Sequence, residues 1–208
     1  MKNSKKNLTI YVVFIMALAV AIPQLTRAQS AYKLSLNKDV SIKVLGSSNV
    51  HDWNETSTVM ESQGDFKLSE DGQLISLTTF SFSLNAKSLK SDHEMMDSRT
   101  YKAMKADQYP KITFKLSSAV ITPVQKNKFN IKASGDLTIA GVTQNIPIDV
   151  IAVVNPDNSL TCTGSKKIKL TDYKIDPPSF MLGAMKVAND LTIEYTLTYK
   201  KANLLTSN

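Results

Sequence analysis

Hydrophobic and polar residues alternate along most of the chain. Phe129, Ile131, Ala133, Gly135, Leu137 and Ile139 interleave with Lys128, Asn130, Lys132, Ser134, Asp136 and Thr138. The same alternation runs through Ile146, Ile148, Val150, Ala152 and Val154, and through Leu191, Ile193, Tyr195, Leu197 and Tyr199. A period of two puts successive side chains on opposite faces, so each run predicts a strand with one dry and one wet face. Ile112, Phe114, Leu116 and Val120 mark a further strand, and Leu160, Cys162, Ile168 and Leu170 the dry face of another. Upstream, Trp53–Leu68 and Leu74–Ala86 predict a hairpin around Glu70-Asp71-Gly72, preceded by short strands at Tyr32–Leu36 and Val40–Leu45. Turn residues at Gln125–Asn127, Ala140-Gly141 and Asn155–Asn158 separate the later runs.

One segment breaks the period. Ser91–Ala106 carries Met95, Met96, Tyr101, Ala103 and Met104 as a loose apolar stripe, and Pro110 forbids continuation. Ser91 and Glu94 fit a capping box, so one helix is predicted over about 91–106 between two strands. The class is therefore all-β, with about eight antiparallel strands in hairpin order and one inserted helix. Long strands of this kind favour closure into a barrel, because closure removes exposed edges. An eight-stranded barrel has an interior that side chains just fill or that holds one small ligand. Small residues on the dry faces, namely Ser118, Ala133, Gly135, Ala152 and Gly164, are read as leaving room; relief of taper or curvature is the alternative. On the first reading, Gly135→Leu or Ala152→Phe is expected to block the interior and spare the fold.

The N-terminus follows a different logic. Lys2, Lys5 and Lys6 precede thirteen apolar residues, Ile10–Ile22, and then Pro23 and Thr26-Arg27-Ala28. These are the parts of a secretory signal peptide over residues 1–28, with the cut near Ala28/Gln29. Thirteen residues cover about 20 Å as a helix against a bilayer core of about 30 Å, which disfavours an uncleaved anchor. The remainder, 29–208, reads as a single domain, exported to the periplasm or secreted.

Charge changes meaning once that segment is set aside. The whole chain has 25 Lys+Arg and 18 Asp+Glu, a net +7, but four of the basic residues lie in the signal segment. The rest carries +3, too little to argue for nucleic acid. The single cysteine, Cys162, excludes an intrachain disulfide, and on a dry face it reads as a small buried apolar residue. Two histidines 42 residues apart do not make a metal site, and no cofactor motif is present.

Polar candidates are few. His51 and Asp52 could form an acid–base pair walled by Trp53, yet neighbours in a strand face opposite ways, and a structural turn is the plainer reading. His93, Met96 and Thr100 share a face at helical spacing. Arg99, the only arginine outside the signal segment, could grip a carboxylate or phosphate, or simply lie on a solvated face. Asn54-Glu55-Thr56 matches a glycosylation acceptor that arises commonly by chance.

Three segments, in order, carry a resemblance. Met104–Phe114, with Tyr109-Pro110 leading into Thr113-Phe114, resembles the helix exit of YceI-like proteins. Ser134–Thr143 is similar to their Gly-Asp-Leu-Thr, Gly-Val-Thr hairpin, and Lys167–Ile175 to their late strand ending in Asp and an aromatic. The resemblance implies an extended, lipocalin-like antiparallel β-barrel, periplasmic or secreted, that binds a polyisoprenoid or similar long amphiphile without catalysis. Gly46–Trp53 departs from the commoner family pattern towards a His-Asp-Trp subgroup. Expected cavity residues are Phe114, Leu116, Ile131, Ala133, Gly135, Leu137, Ile148, Val150, Ala152, Ile193, Tyr195, Met96 and Met104. His93 and Arg99, with His51 and Trp53, are the expected headgroup contacts. An enzyme acting on a lipid-like substrate through a His acid–base, and a ligand-free scaffold or stress protein, are the competing readings. Expected partners are the amphiphile and, as one option, a second copy in a homodimer, with no nucleic acid and no stable membrane anchor after cleavage.

Overall fold

The computed structural model describes residues 31–37 and 39–202, so the signal segment and its cut lie outside the described residues. Among the described residues twelve strands form in chain order: β1 Ala31–Leu34, β2 Ser41–Ser47, β3 Asp52–Ser57, β4 Met60–Leu68, β5 Leu74–Asn85, β6 Lys111–Gln125, β7 Lys128–Ile139, β8 Val142–Val154, β9 Leu160–Lys169, β10 Ser179–Phe180, β11 Met185–Lys186 and β12 Asp190–Lys201. Eight of them close a ring, β1-β4-β5-β6-β7-β8-β9-β12, and all pairings are antiparallel. The expected barrel is present, with a single α-helix among the described residues.

Strand β12 is the hub. One edge pairs with β9, while the other pairs with β2 at Thr192–Thr196 and with β1 at Tyr199–Lys201. The first two strands therefore share one place in the wall. The stretch expected as one strand, Trp53–Leu68, is likewise broken at 58–59: β3 pairs with β2, and β4 pairs with β1 and β5. Past Met60↔Leu84 the wall parts, and β3 is tied to the chain after β5 by a reciprocal Thr56–Lys90 backbone pair at 2.8 and 3.0 Å and by the Ser57–Ser88 hydroxyl pair at 2.8 Å. Pro147, which has no N–H to give, sits on β8 where its β9 side carries no ladder, since that ladder covers only Ile151–Val154.

The helix runs Glu94–Ala103, shorter than expected. His93 is its N-cap, and the capping box does not form. Ser91 instead donates from its backbone N–H and its hydroxyl to Asp97 Oδ1, both at 2.7 Å. Glu94 and Asp97 in the first turn and Lys102 in the last complement the helix dipole. Tyr101 pins the helix to the preceding segment, donating its hydroxyl to the Leu89 carbonyl at 2.7 Å.

Alternation holds in β7, β8 and β12 but changes phase in β6. A bulge between Leu116 and Ser118 turns Ser118 and Val120 outward, and Val120 is 65% exposed. Ala119 and Ile121 take the inward places and pack against the core. Cys162 is buried, and burial pushes its thiol up to about 12.

The small residues also differ from expectation. A side chain at Gly46 would meet the Trp53 ring, one at Gly135 the Phe114 ring and the Lys115 carbonyl, and one at Gly164 the Tyr195 ring. Each glycine is the seat of an aromatic side chain, and no empty space lies over it. Ala152 is wholly buried within the wall.

Candidate functional site

The barrel nevertheless contains space. A cavity of about 480 Å³ lies at the end where β3 departs from the wall and the helix packs across. Its apolar lining comes from strands (Ile42, Val44, Phe82, Leu84, Ile112, Leu137, Ile193), from the helix segment (Met95, Met96, Ala103, Met104) and from the Leu170–Val187 region (Leu170, Tyr173, Ile175, Phe180, Met185). A second space of about 130 Å³ lies deeper among Phe66, Phe80, Phe82, Phe114, Tyr195 and Tyr199. Ile42, Phe82, Leu137 and Ile193 line both.

Leu137, Ile193, Met96 and Met104, expected as lining, face the larger cavity. Phe114, Leu116, Ile131, Ala133, Ile148, Val150 and Tyr195 face the smaller one. Gly135 and Ala152 line neither, for the packing reasons given above. They are therefore corrected to wall positions. His51, Trp53, His93 and Arg99, far apart in sequence, all come together on the larger cavity, and Asp52 does not.

Two contacts bring these groups together. Asn49, in the turn between β2 and β3, clamps the β10–β11 hairpin: its amide donates to the Ala184 carbonyl at 2.9 Å and accepts from the Lys186 N–H at 2.8 Å. On the other side the Arg99 guanidinium stacks on the Phe180 ring, 4.1 Å from its centroid. The hairpin thus touches both the His51 turn and the helix. Val50, Met95, Met181 and Leu182 stand exposed on these same elements.

The residue that the alternation pattern offers but the motif search passes over is Glu55. It follows Trp53 by two on β3, so it shares the inward face, and it is 1% exposed while lining the larger cavity. Burial pushes its carboxyl up to about 7, against the hydrogen bond donated by the Thr100 hydroxyl; nearby Asp97 adds to the rise and Lys90 opposes it. Burial also acts upward on Asp97, but its bonds from Ser91 and from Lys90 Nζ at 3.2 Å outweigh that and hold it below the ordinary carboxylate range. Two buried polar atoms of residues that line this cavity, Trp53 Nε1 and the Tyr173 hydroxyl, meet no hydrogen-bond partner among the described residues. Among those residues no group of three or more His, Cys, Asp and Glu could hold a metal ion, and no helix is long and apolar enough to cross a membrane.

An antiparallel barrel with an apolar hollow and a few polar groups at one end is an architecture that accommodates a small molecule. The chain belongs to the YceI-like domain family, whose model matches residues 30–199. Its fold is similar to that of Burkholderia cenocepacia BcnA, with a TM-score of 0.63 at 18% identity over 79% of this chain and 98% of that one. It is also similar to a polyisoprenoid-binding domain from Saccharophagus degradans implicated in plant cell wall breakdown, with a TM-score of 0.62 at 12% identity over 84% and 99%. A Campylobacter jejuni YCEI protein aligns with a TM-score of 0.50 at 18% identity over 68% and 82%. No curated protein matches the chain by sequence.

Proposed function

We propose that the protein is a non-catalytic carrier or store for a long-chain amphiphilic lipid such as a polyisoprenoid, working in the periplasm or after secretion. The observation that carries this reading is the cavity of about 480 Å³, apolar along its length and polar where His51, His93 and Arg99 meet. A hydrocarbon chain gains about 25 cal/mol for each Å² removed from water, so the tail dominates affinity. The polar end then sets orientation and headgroup choice more than strength. The polyisoprenoid-binding domain from Saccharophagus degradans, which shares the fold, supports the ligand class.

Mass spectrometry of lipid extracted from protein purified out of the periplasm tests the reading. A stoichiometric amphiphile is expected; none bound, together with no uptake of long-chain prenols, overturns it. Ala103→Phe gives a matched control. Ala103 lines the cavity from the last turn of the helix, so a phenyl ring there fills the hollow without entering a strand. We expect prenol uptake to fall at least about tenfold, equivalent to 1.4 kcal/mol, with the melting temperature nearly unchanged. Full uptake by this variant would place the ligand elsewhere.

A further inference from the structure

The alternation that sends Phe80 and Phe82 of β5 inward also decides how far the interior extends. The two hollows meet at Ile42, Phe82, Leu137 and Ile193, which front both of them. Ile42 and Leu137 stand on opposite sides of the barrel, since β1, whose place in the wall β2 shares, lies four places from β7 in a ring of eight. The four side chains therefore surround a waist. Phe66, Phe80, Phe114 and Tyr199 line the smaller hollow and not the larger. Their rings lock together at centroid distances between 5.4 and 6.4 Å, and the Tyr199 hydroxyl is tied to that of Ser62 at 2.8 Å. Among the described residues Phe82 has no place in this ring cluster and is only half-buried. The interior thus has a rigid aromatic floor and, above it, a waist guarded by one unpaired ring.

We propose that the barrel measures the length of the isoprenoid tail, with Phe82 as the residue that sets the limit at about four isoprene units. This rests on the lipid-binding reading above and specifies the tail. A tail carbon takes nearly as much room as a water molecule in the liquid, about 30 Å³, so a five-carbon unit needs roughly 130–150 Å³. The larger hollow, about 480 Å³ and open at its polar end, therefore takes a tail of about four units. The smaller hollow, about 130 Å³, has room for one more, and Phe82 stands between the two. A bilayer already holds every unit of a tail in hydrocarbon, so a unit that fits the barrel exchanges one apolar setting for another. A unit that does not fit is left in water at the mouth, and five exposed carbons lower affinity by at least about tenfold. Selection against longer tails follows.

A prenol ladder tests this. Farnesol, geranylgeraniol, geranylfarnesol and solanesol are offered as an equimolar mixture in phosphatidylcholine vesicles, and mass spectrometry quantifies what the separated protein retains. The native protein should retain geranylgeraniol over geranylfarnesol by at least about tenfold, and solanesol least of all. Phe82→Ala joins the two hollows, so geranylfarnesol should rise to the level of geranylgeraniol while solanesol stays excluded by the aromatic floor. Adding Ala133→Leu, which fills the smaller hollow from β7, should restore the native limit. Phe82→Leu is the milder form of the same change, with the same direction of shift expected should the alanine variant not fold. Equal retention of geranylgeraniol and geranylfarnesol by the native protein, or a limit unmoved in a folded Phe82 variant, overturns the gauge and leaves lipid binding intact. Retention of no prenol of any length overturns the lipid-binding reading itself, and the gauge with it.

Discussion

Gly135→Leu is expected to lose about 3 kcal/mol or more of stability rather than to plug the barrel. Any side chain at this position on β7 meets both the Phe114 ring and the Lys115 carbonyl oxygen, and a backbone atom cannot swing aside as the tip of a flexible side chain can. Overpacking of this kind typically costs 1–3 kcal/mol for a few added methylenes, and more when backbone must move. For a chain of this size each kcal/mol lowers the melting temperature by about 2–4 °C, so calorimetry should record a fall of roughly 6–12 °C. Gly135→Ala should show a smaller loss of the same sign, because its Cβ alone already makes both contacts. Adding Phe114→Leu to Gly135→Ala should recover part of the loss, since the ring is one of the two obstructions, and the shared contact makes the pair non-additive. An unaltered melting temperature in Gly135→Leu with impaired lipid uptake would instead return Gly135 to the cavity lining.

Stability should fall as pH rises through the window from 4.5 to about 7, and Glu55 is the reason. Its folded-state carboxyl titrates near 7 against an ordinary 4.5, so between those values the native state holds a proton that the unfolded state has released. Stability decreases with pH wherever the native state binds more protons. The full interval is worth at most about 3 kcal/mol, lost by pH 8 and regained below the lower value. The charged and titratable groups around it come from β3 and its turn (His51), the segment before the helix (Lys90) and the helix with its cap (His93, Asp97, Arg99). Denaturant melts of native protein and Glu55→Gln at pH 5 and pH 8 isolate its share. The two should be nearly equal at pH 5, and the glutamine variant more stable by about 1–3 kcal/mol at pH 8. A destabilised Glu55→Gln at pH 8 would mean that the carboxylate is a favourable partner in the native state, contrary to its buried, singly bonded setting.

Gly135 belongs to the wall, where close packing under aromatic rings holds the barrel closed. Glu55 lies beside the hollow, enclosed between β3 and the helix, where its carboxyl meets the Thr100 hydroxyl.

Much of this was legible in the chain. Strict alternation through Phe129–Ile139 and Leu191–Tyr199 determined strands, their inward faces and the turns at Ala140-Gly141 and Asn155–Asn158, because a period of two leaves no freedom over which residues face inward. Family resemblance points to His93 and Arg99 alone, and their approach to His51 and Trp53 on one cavity is beyond any local periodicity. Tertiary structure alone decided the rest. The bulge after Leu116 reversed the faces of Ser118 and Val120, which depends on register with β7 and not on local sequence. Whether a glycine leaves a void or seats a ring depends on the residue across the ladder, so Gly46, Gly135 and Gly164 could not be read in isolation. Glu55 lay on the inward face by its spacing from Trp53, but its setting was decided by a helix folded against β3 from 45 residues further along the chain.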